Sequence, residues 1–303
     1  MRVVLVSIQP LGQPVGQPVG EPVRPKRPDW LRAPAPVGDN YRDLKDLVSR
    51  LKLHTVCESA ACPNIGDCWN RRTATFMILG NVCTRRCGFC AVQKGVPLEV
   101  DTDEPRRVAE AVEAMGLKYA VITSVNRDDR ADGGAELFAA VIHAIHDRVP
   151  GCKVEVLTPD FQGSHAAIDT VLDAAPDCFN HNTETVPRLY KQVRLGARFD
   201  RSLDVLHYAK TSHPEIPAKS GLMLGLGETN DEVRETMRQL RGAKVDIVTL
   251  GQYLRPSPKH LPIIRYVPAE EFGELRDFGY TLGFQHVEAG PLVRSSYHAD
   301  EAL

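Results

Sequence analysis

The sequence predicts an α/β fold in which parallel strands are covered by helices. Three observations predict it. From residue 73 onward, short apolar runs alternate with stretches of helical periodicity. The apolar runs are rich in Val, Ile and Leu, as strands buried on both faces are. Six strand–helix units follow one another. Periodicity alone does not separate a doubly wound sheet from a (β/α) barrel, and six units fall short of the eight that close a full barrel.

The elements run as follows. YRDLKDLVSRLKL (41–53) places Leu44, Leu47, Leu51 and Leu53 mostly on one helix face. TATFMILG (73–80) reads as a buried strand. A helix starts near Glu104, with Asp103 as N-cap and Pro105 in its first turn. YAVITSV (119–125) precedes the helix GGAELFAAVIHAIHDRV (133–149), and KVEVLTP (153–159) precedes SHAAIDTVLDAA (164–175). DCFNHNT (177–183) is a shorter strand, with helical stretches after it to about Thr211. AKSGLMLGLG (218–227) leads to the helix NDEVRETMRQLRGA (230–243), and DIVTLGQY (246–253) to a helix within 268–282. FQHVEAGP (284–291) is a last extended segment.

Polar residues gather where these strands end: Ser124, Asn126, Arg127 and Asp128; Thr158 and Asp160; Asn180, His181 and Asn182; Glu228; Gln252 and Tyr253. Ligands of α/β folds bind at the carboxyl ends of strands, so the site is expected on that rim.

Composition narrows the class. The 303 residues are 43% hydrophobic and 25% charged, ordinary for a globular chain with a substantial core. A net charge of −2 gives no support to a nucleic-acid partner or an anionic membrane. No apolar run is long enough to span a bilayer, and MRVVLVSIQP lacks the features of a signal peptide. The expected location is cytoplasmic, where clustered cysteines signal metal or redox sites rather than disulfides. Residues 10–36 are proline-rich and carry the repeat GQPVGQPVGEPV, read as an extended or disordered tail that docks through Trp30.

Six of the eight cysteines fall within residues 57–90, as two triplets. The second, Cys83, Cys87 and Cys90 in CTRRCGFC, directly follows a strand. Three thiolates in a tight loop suit three corners of a [4Fe–4S] cube and leave the fourth iron open to a ligand. A structural zinc site would lack its fourth ligand here. Gly88 lets the backbone bend, and Phe89 shields the cluster from solvent. The first triplet, Cys57, Cys62 and Cys68, has Pro63 and Gly66 between its members, so its thiols are able to converge.

C-x3-C-x2-C after a first strand, with an aromatic before the last cysteine, resembles the radical S-adenosylmethionine superfamily. Taken with C-x4-C-x5-C upstream and PLVRSSYHA at 291–299, the chain resembles the lipoyl synthase family of that superfamily. VITSVNRDDRADGGAELF, VEVLTPDF, FNHNTETVPRLY, GLMLGLGET and LGQYLRPSPKHLPI look familial as well, and the GQPV repeat has no counterpart in the resemblance.

The resemblance implies a partial (β/α)6 TIM-like barrel, with N- and C-terminal extensions that carry an auxiliary cluster. Its divisions here are a tail (1–38), an N-terminal extension (39–72), a barrel (73–291) and a C-terminal RSSY segment (292–303). It implies two [4Fe–4S] clusters and S-adenosylmethionine. The cluster on Cys83, Cys87 and Cys90 would generate a 5′-deoxyadenosyl radical, and that on Cys57, Cys62, Cys68 and Ser296 would give up sulfide. The implied reaction inserts sulfur at C6 and C8 of an octanoyl-lysine on a lipoyl carrier domain, such as an E2 subunit or the glycine cleavage H protein. An electron donor such as ferredoxin or flavodoxin, and an iron–sulfur carrier, are implied as further partners.

The residues leave other readings open: a radical enzyme whose second cluster binds substrate or relays electrons, or a non-catalytic metal-binding scaffold. Gly133, Gly134 and Glu136 fit either cofactor contact or a helix start. Asn180, His181 and Asn182 fit either ribose and methionine contacts or a structural role. Arg194, Arg255, Lys259 and His260 fit an acidic protein substrate or a solvated basic face. Cys152 and Cys178 read as buried free thiols.

Overall fold

Alternation along the strands builds the architecture. Val154 and Val156 pack outward among helix side chains while Glu155 between them points to the other face. The computed structural model describes residues 28–31, 36–60, 62–70, 74–297 and 299, so the GQPV repeat lies outside the described residues.

The chain forms α1 (Asp39–Arg50), β1 (His54–Thr55), α2 (Val56–Ser59), α3 (Ile65–Asn70), β2 (Thr75–Ile78), β3 (Val82–Cys83) and β4 (Gln93–Lys94). It continues with α4 (Glu104–Met115), β5 (Tyr119–Ser124), α5 (Ala135–Arg148), β6 (Lys153–Leu157), α6 (His165–Leu172) and β7 (Cys178–Asn180). Then come α7 (Tyr190–Val193), α8 (Phe199–Ser212), β8 (Ala218–Leu224), α9 (Asn230–Gly242), β9 (Ile247–Gln252), α10 (Ala269–Thr281) and β10 (His286–Gly290).

The main sheet has the order β1-β2-β5-β6-β7-β8-β9-β10. Each strand from β5 onward lies parallel beside its predecessor in the sheet, and β1 is antiparallel at one edge. A doubly wound sheet reverses its order at a switch point, and this one does not. The order is that of a barrel wall, which settles what periodicity left open. The last extended segment joins as a seventh parallel strand, from His286 opposite Ile247 to Gly290 opposite Gly251.

Two apolar layers lie between sheet and helices. One gathers α1, α4, α5 and α6 over β2, β5, β6 and β7. The other gathers α9 and α10 over β8, β9 and β10. Trp69 of α3 is fully buried and lies against Tyr41 of α1 with ring centroids 5.1 Å apart, which holds α1 and α3 together.

Two local expectations are corrected. Leu31, not Trp30, is the docked residue: Leu31 is buried, whereas Trp30 is 45% exposed and only edges onto Tyr266. Asp103 occupies the N-cap of α4 but makes no capping bond, because its carboxylate pairs with Arg106 and Arg107. Caps do form at Ser164 before α6 and, as a full capping box with Glu232, at Thr229 before α9.

A buried histidine makes stability depend on pH. Its Nδ1 faces the Thr158 carbonyl at 2.9 Å, so Nδ1 carries the proton and Nε2 accepts from Ser202 Oγ at 2.9 Å. Burial, then the nearby Arg194 guanidinium, push the His181 pKa from 6.5 down to about 4, while Asp160 acts in the opposite direction. Between those values the unfolded chain binds a proton that the native state refuses, so stability falls as pH drops from 6.5 toward 4. The expected slope from this residue is up to about 1.4 kcal/mol per pH unit. Urea unfolding midpoints measured across that range should fall for the native sequence and flatten for His181→Asn.

Candidate active site between two cysteine triplets

The strand β2 ends in a turn that Leu79 and Gly80 make with positive φ (67° and 84°). The loop beyond it carries the second triplet and is clamped on every side. Asn126 N–H donates to Cys83 Sγ at 3.4 Å, and Thr84 N–H to the Asn126 carbonyl at 3.1 Å. Arg85, between the first two cysteines, grips Asp128 at 2.7 and 2.8 Å and Asp160 at 2.6 Å. This ties the loop to the ends of β5 and β6. Burial disfavours charge on both Arg85 and Asp160, yet their mutual attraction outweighs it. The guanidinium pKa is raised, and the Asp160 carboxyl is held well below the usual carboxylate range.

On the other flank, Gly88 N–H donates to the Val193 carbonyl at 2.9 Å, and Leu261 N–H donates to the Gly88 carbonyl at 3.1 Å. A Cβ on Gly88 would stand 2.9 Å from Leu261 side-chain carbons and 3.2 Å from the Gln192 carbonyl. Close approach therefore requires glycine here, more than the bend the sequence suggested. Cys83 lies close enough to raise the pKa of Cys87 and Cys90, and Cys90 adds to the effect at Cys87. Burial is the larger cause, pushing Cys87 up to about 11 and raising Cys90, while Arg194 opposes it at Cys87. Iron binding therefore has to displace protons from this pocket.

The first triplet is gathered by short local bonds. Cys62 N–H donates to the Cys57 carbonyl at 3.0 Å, and Cys68 N–H to the Asn64 carbonyl at 2.9 Å. Burial pushes the Cys57 thiol up to about 11, against hydrogen bonding from the Thr75 backbone. Thr75 then links this triplet to the far end of the chain, since its Oγ1 donates to Ser296 Oγ at 2.9 Å. Asn64 Nδ2 donates to the Leu292 carbonyl at 2.7 Å and completes the attachment. Among the described residues, no three His, Cys, Asp or Glu side chains close around a single ion.

The C-terminal segment is held by Asn64 of the first-triplet region and by Asn182 at the end of β7. It passes so close to β9 that a Cβ on Gly251 would lie 2.1 Å from the Val293 carbonyl oxygen. Asn182 Nδ2 donates to Ser295 Oγ at 3.2 Å and to Glu184 Oε1 at 3.2 Å. Glu184 has φ 67° and lies within electrostatic reach of Cys87 and Cys90, and burial raises its pKa against the pull of Arg194. Ser124 Oγ, Asn180 Oδ1 and Asn182 Oδ1 are buried on this rim without a hydrogen-bond partner among the described residues. Unpaired buried acceptors are costly, and a bound polar ligand would satisfy them.

Beneath them lies a buried polar network. Glu155 accepts from Lys219 Nζ at 2.9 Å, Tyr119 OH at 2.8 Å and Asn180 Nδ2 at 2.8 Å. The carboxylate fixes which way the Asn180 amide points, so its oxygen is the free end.

The remaining candidates divide. Gly133 and Gly134 have φ of 59° and 95°, and a Cβ on Gly134 would meet Leu79 Cδ1 at 2.2 Å, so both glycines serve the entry to α5 beside the end of β2. Glu136 stands exposed on the first turn of α5. Arg194 is not on a solvated face. It is buried and donates to the Asn182 carbonyl at 2.6 Å and to Tyr190 OH at 2.9 Å. His260 meets the Cys90 carbonyl at 3.1 Å, whereas Arg255 and Lys259 are exposed. Gln252 spends its amide on the Leu224, Tyr253 and Arg265 carbonyls and on Val267 N–H, and Tyr253 OH donates to the Leu261 carbonyl, so both brace a loop. Glu228 likewise accepts from Gly225 and Leu226 N–H. Cys152 and Cys178 are buried free thiols, as expected. Sequence reasoning missed Arg85, Glu184, Asn64 and Thr75, because only the tertiary fold shows what they touch.

This barrel wall, with a C-x3-C-x2-C loop after its first parallel strand, defines a radical S-adenosylmethionine protein. The model of the radical SAM superfamily matches residues 77–240. The crystal structure of methylornithine synthase (PylB) has the same fold, with a TM-score of 0.54 at 14% identity over 86% of this chain and 87% of that one. That of Streptococcus suis SuiB bound to S-adenosylmethionine gives 0.55 at 10% identity, over 75% and 53%. A narrower model, the N-terminal domain of lipoyl synthase of the radical SAM family, matches residues 14–62. That match starts inside the GQPV repeat, so the repeat from residue 14 does have a family counterpart, contrary to expectation. The lipoyl synthase of Rubrobacter xylanophilus is 62% identical over 275 residues, 91% of this chain and 86% of the relative. That of Thermus thermophilus is 57% identical over 279 residues, with the same two shares. The chain belongs to the lipoyl synthase family, which uses two [4Fe–4S] clusters and S-adenosylmethionine.

Proposed function

We propose that the two triplets of this lipoyl synthase divide the work. Cys83, Cys87 and Cys90 hold the radical-generating cluster, and Cys57, Cys62, Cys68 and Ser296 hold the cluster that is consumed as sulfur source. One observation carries the second assignment. Ser296, more than two hundred residues from the first triplet, stands 2.9 Å from Thr75 Oγ1, and the Thr75 backbone meets the Cys57 thiol. Ser295, by contrast, is met by Asn182 at the end of β7 rather than by a residue next to the first triplet, which supports Ser296 as the ligand of the pair. A serine oxygen is a harder ligand for iron than a thiolate, so a fourth iron held by Ser296 is the one most readily released.

When bound, the first of these groups together with S-adenosylmethionine supplies a 5′-deoxyadenosyl radical that removes hydrogen from carbon. The chain's own part is placement. Arg85 pins the triplet loop against Asp128 and Asp160, and the unpaired oxygens of Asn180 and Asn182, with Gly133, Gly134 and Glu136 nearby in sequence to the rim, belong to the cofactor side. The space between Asn182, Ser295 and Ser296 belongs to the octanoyl chain, whose C6 and C8 must lie between the two triplets in turn. Lipoyl carrier domains are the substrates; E2 subunits and the glycine cleavage H protein are the specific carriers we propose. An iron–sulfur carrier that rebuilds the consumed cluster, and a cytoplasmic location, complete the reading. The domain divisions at 38, 72 and 291 follow the same division of labour.

The test is the intact mass of an octanoylated lipoyl domain, incubated without oxygen with cluster-loaded protein, S-adenosylmethionine and dithionite. Two added sulfurs with release of deoxyadenosine are expected. Deoxyadenosine without added sulfur would overturn the sulfur-donor assignment.

A further inference from the structure

The side chain of Trp69 is fully excluded from water, and its Nε1–H has no hydrogen-bond partner among the described residues. A buried donor left unpaired is costly, and native proteins almost always provide such a group with an acceptor. The surroundings say which acceptor this one awaits. Trp69 follows Cys68 in α3 and lies in the same apolar cluster as Cys57. Tyr41 packs on its ring with centroids 5.1 Å apart, so the indole is held in place. Burial governs the pKa of Cys57, and Trp69 is the one side chain that works against it, so indole and sulfur are neighbours. They make no hydrogen bond while the sulfur is a thiol. A thiol sulfur is a weak acceptor, whereas a thiolate carries charge and accepts an N–H strongly.

Resting on the cluster assignment above, we propose that Trp69 is a positioning residue of the sulfur-donating cluster: its Nε1–H donates to the Cys57 sulfur once that sulfur is bound to iron. The bond acts in two ways. Hydrogen bonds to cluster sulfurs help set the reduction potential, and this one draws charge from the sulfur and raises it. Partners of a metal ligand also fix that ligand in place, and losing them lowers metal affinity. Cys57 is thereby a firm corner, unlike Ser296, whose hard oxygen suits iron poorly. The cluster opens at the serine corner while the thiolate corner keeps hold of the remainder.

The test uses the cluster-loaded chain carrying Cys83→Ala, Cys87→Ala and Cys90→Ala, so that only the first triplet holds iron. In that background native Trp69 is compared with Trp69→Phe, and with benzothienylalanine at position 69, which keeps the indole's shape and has sulfur in place of the N–H. The readouts are independent of turnover: the midpoint potential from an EPR-monitored titration, the rate of iron transfer to bathophenanthroline, and exchangeable deuteron couplings in ENDOR spectra of the reduced cluster reconstituted in D2O. Both replacements should lower the potential, speed iron loss about tenfold or more, and abolish one deuteron coupling. The urea midpoint of the cluster-free protein should stay level or rise with benzothienylalanine, because an unpaired donor has been removed. An unchanged potential with an unchanged set of deuteron couplings would overturn the proposal. So would faster iron loss with all couplings retained and a lower cluster-free midpoint, which would make Trp69 a packing residue only. If the alanine background with native Trp69 bound no iron, the assignment of the first triplet would fail, and the proposal with it.

Discussion

Cys62→Ala is expected to leave cleavage of S-adenosylmethionine nearly intact and to abolish sulfur insertion. Cys62 is the better choice within its triplet, because it is half-buried whereas Cys57 lies in the core under Trp69. The substitution therefore removes a ligand without opening a large cavity. Loss of even an outer partner of a metal ligand costs about 10–100-fold in metal affinity, so loss of a ligand should cost more than about 100-fold in lipoyl product. Iron and sulfide content should fall by about half, the loss of one of two equal clusters. Deoxyadenosine formation should continue, since Cys83, Cys87 and Cys90 are held by a separate set of contacts. A variant that still inserted both sulfurs would remove the first triplet from the mechanism.

Glu155→Leu is expected to cause the largest loss of stability. Lys219 and Glu155 are buried to within 1% and 0% of full exclusion from water, and Glu155 accepts from three donors at once. Removing the carboxylate strands an ammonium, a phenol and an amide inside the barrel. Breaking a buried pair from one side costs about 3–5 kcal/mol. Urea unfolding of the anaerobic protein should show a loss of that size. Glu155→Leu/Lys219→Met should recover part of it, because no lone charge is then left behind. A loss under about 1 kcal/mol for the single variant would mean that water already reaches this network. The same variant frees the Asn180 amide to turn over, so affinity for S-adenosylmethionine should fall if Asn180 holds the cofactor.

Much of the molecule was legible in the chain because its signals are local. The alternation of Val154, Glu155 and Val156 and the spacing of Leu44 and Leu47 report burial through neighbours a few residues away, so the expected strands and helices fell within about three residues of their observed bounds. Thr229 and Glu232 formed the capping box their spacing allows. Where Asp103 failed to cap, Arg106 and Arg107 competed for the same carboxylate with full charge, which residue preference at the cap does not register.

Cysteine spacing and the RSSY signature, by themselves, pointed to two groups of three thiols and to the family the chain belongs to. Tertiary structure alone decided which residues serve them. Arg85 reads as one more basic residue in CTRRCGFC until the ends of β5 and β6 bring Asp128 and Asp160 to it. Arg194 reads as surface charge until α7 turns it inward onto Asn182 and Tyr190. Ser296 joins Thr75 only because the C-terminal segment is drawn past a side-chain-free Gly251. The physical reason is range. Periodicity and capping are set by bonds between near neighbours, whereas a buried charge or a ligand from the far end of the chain is fixed by contacts that exist only once the sheet has formed.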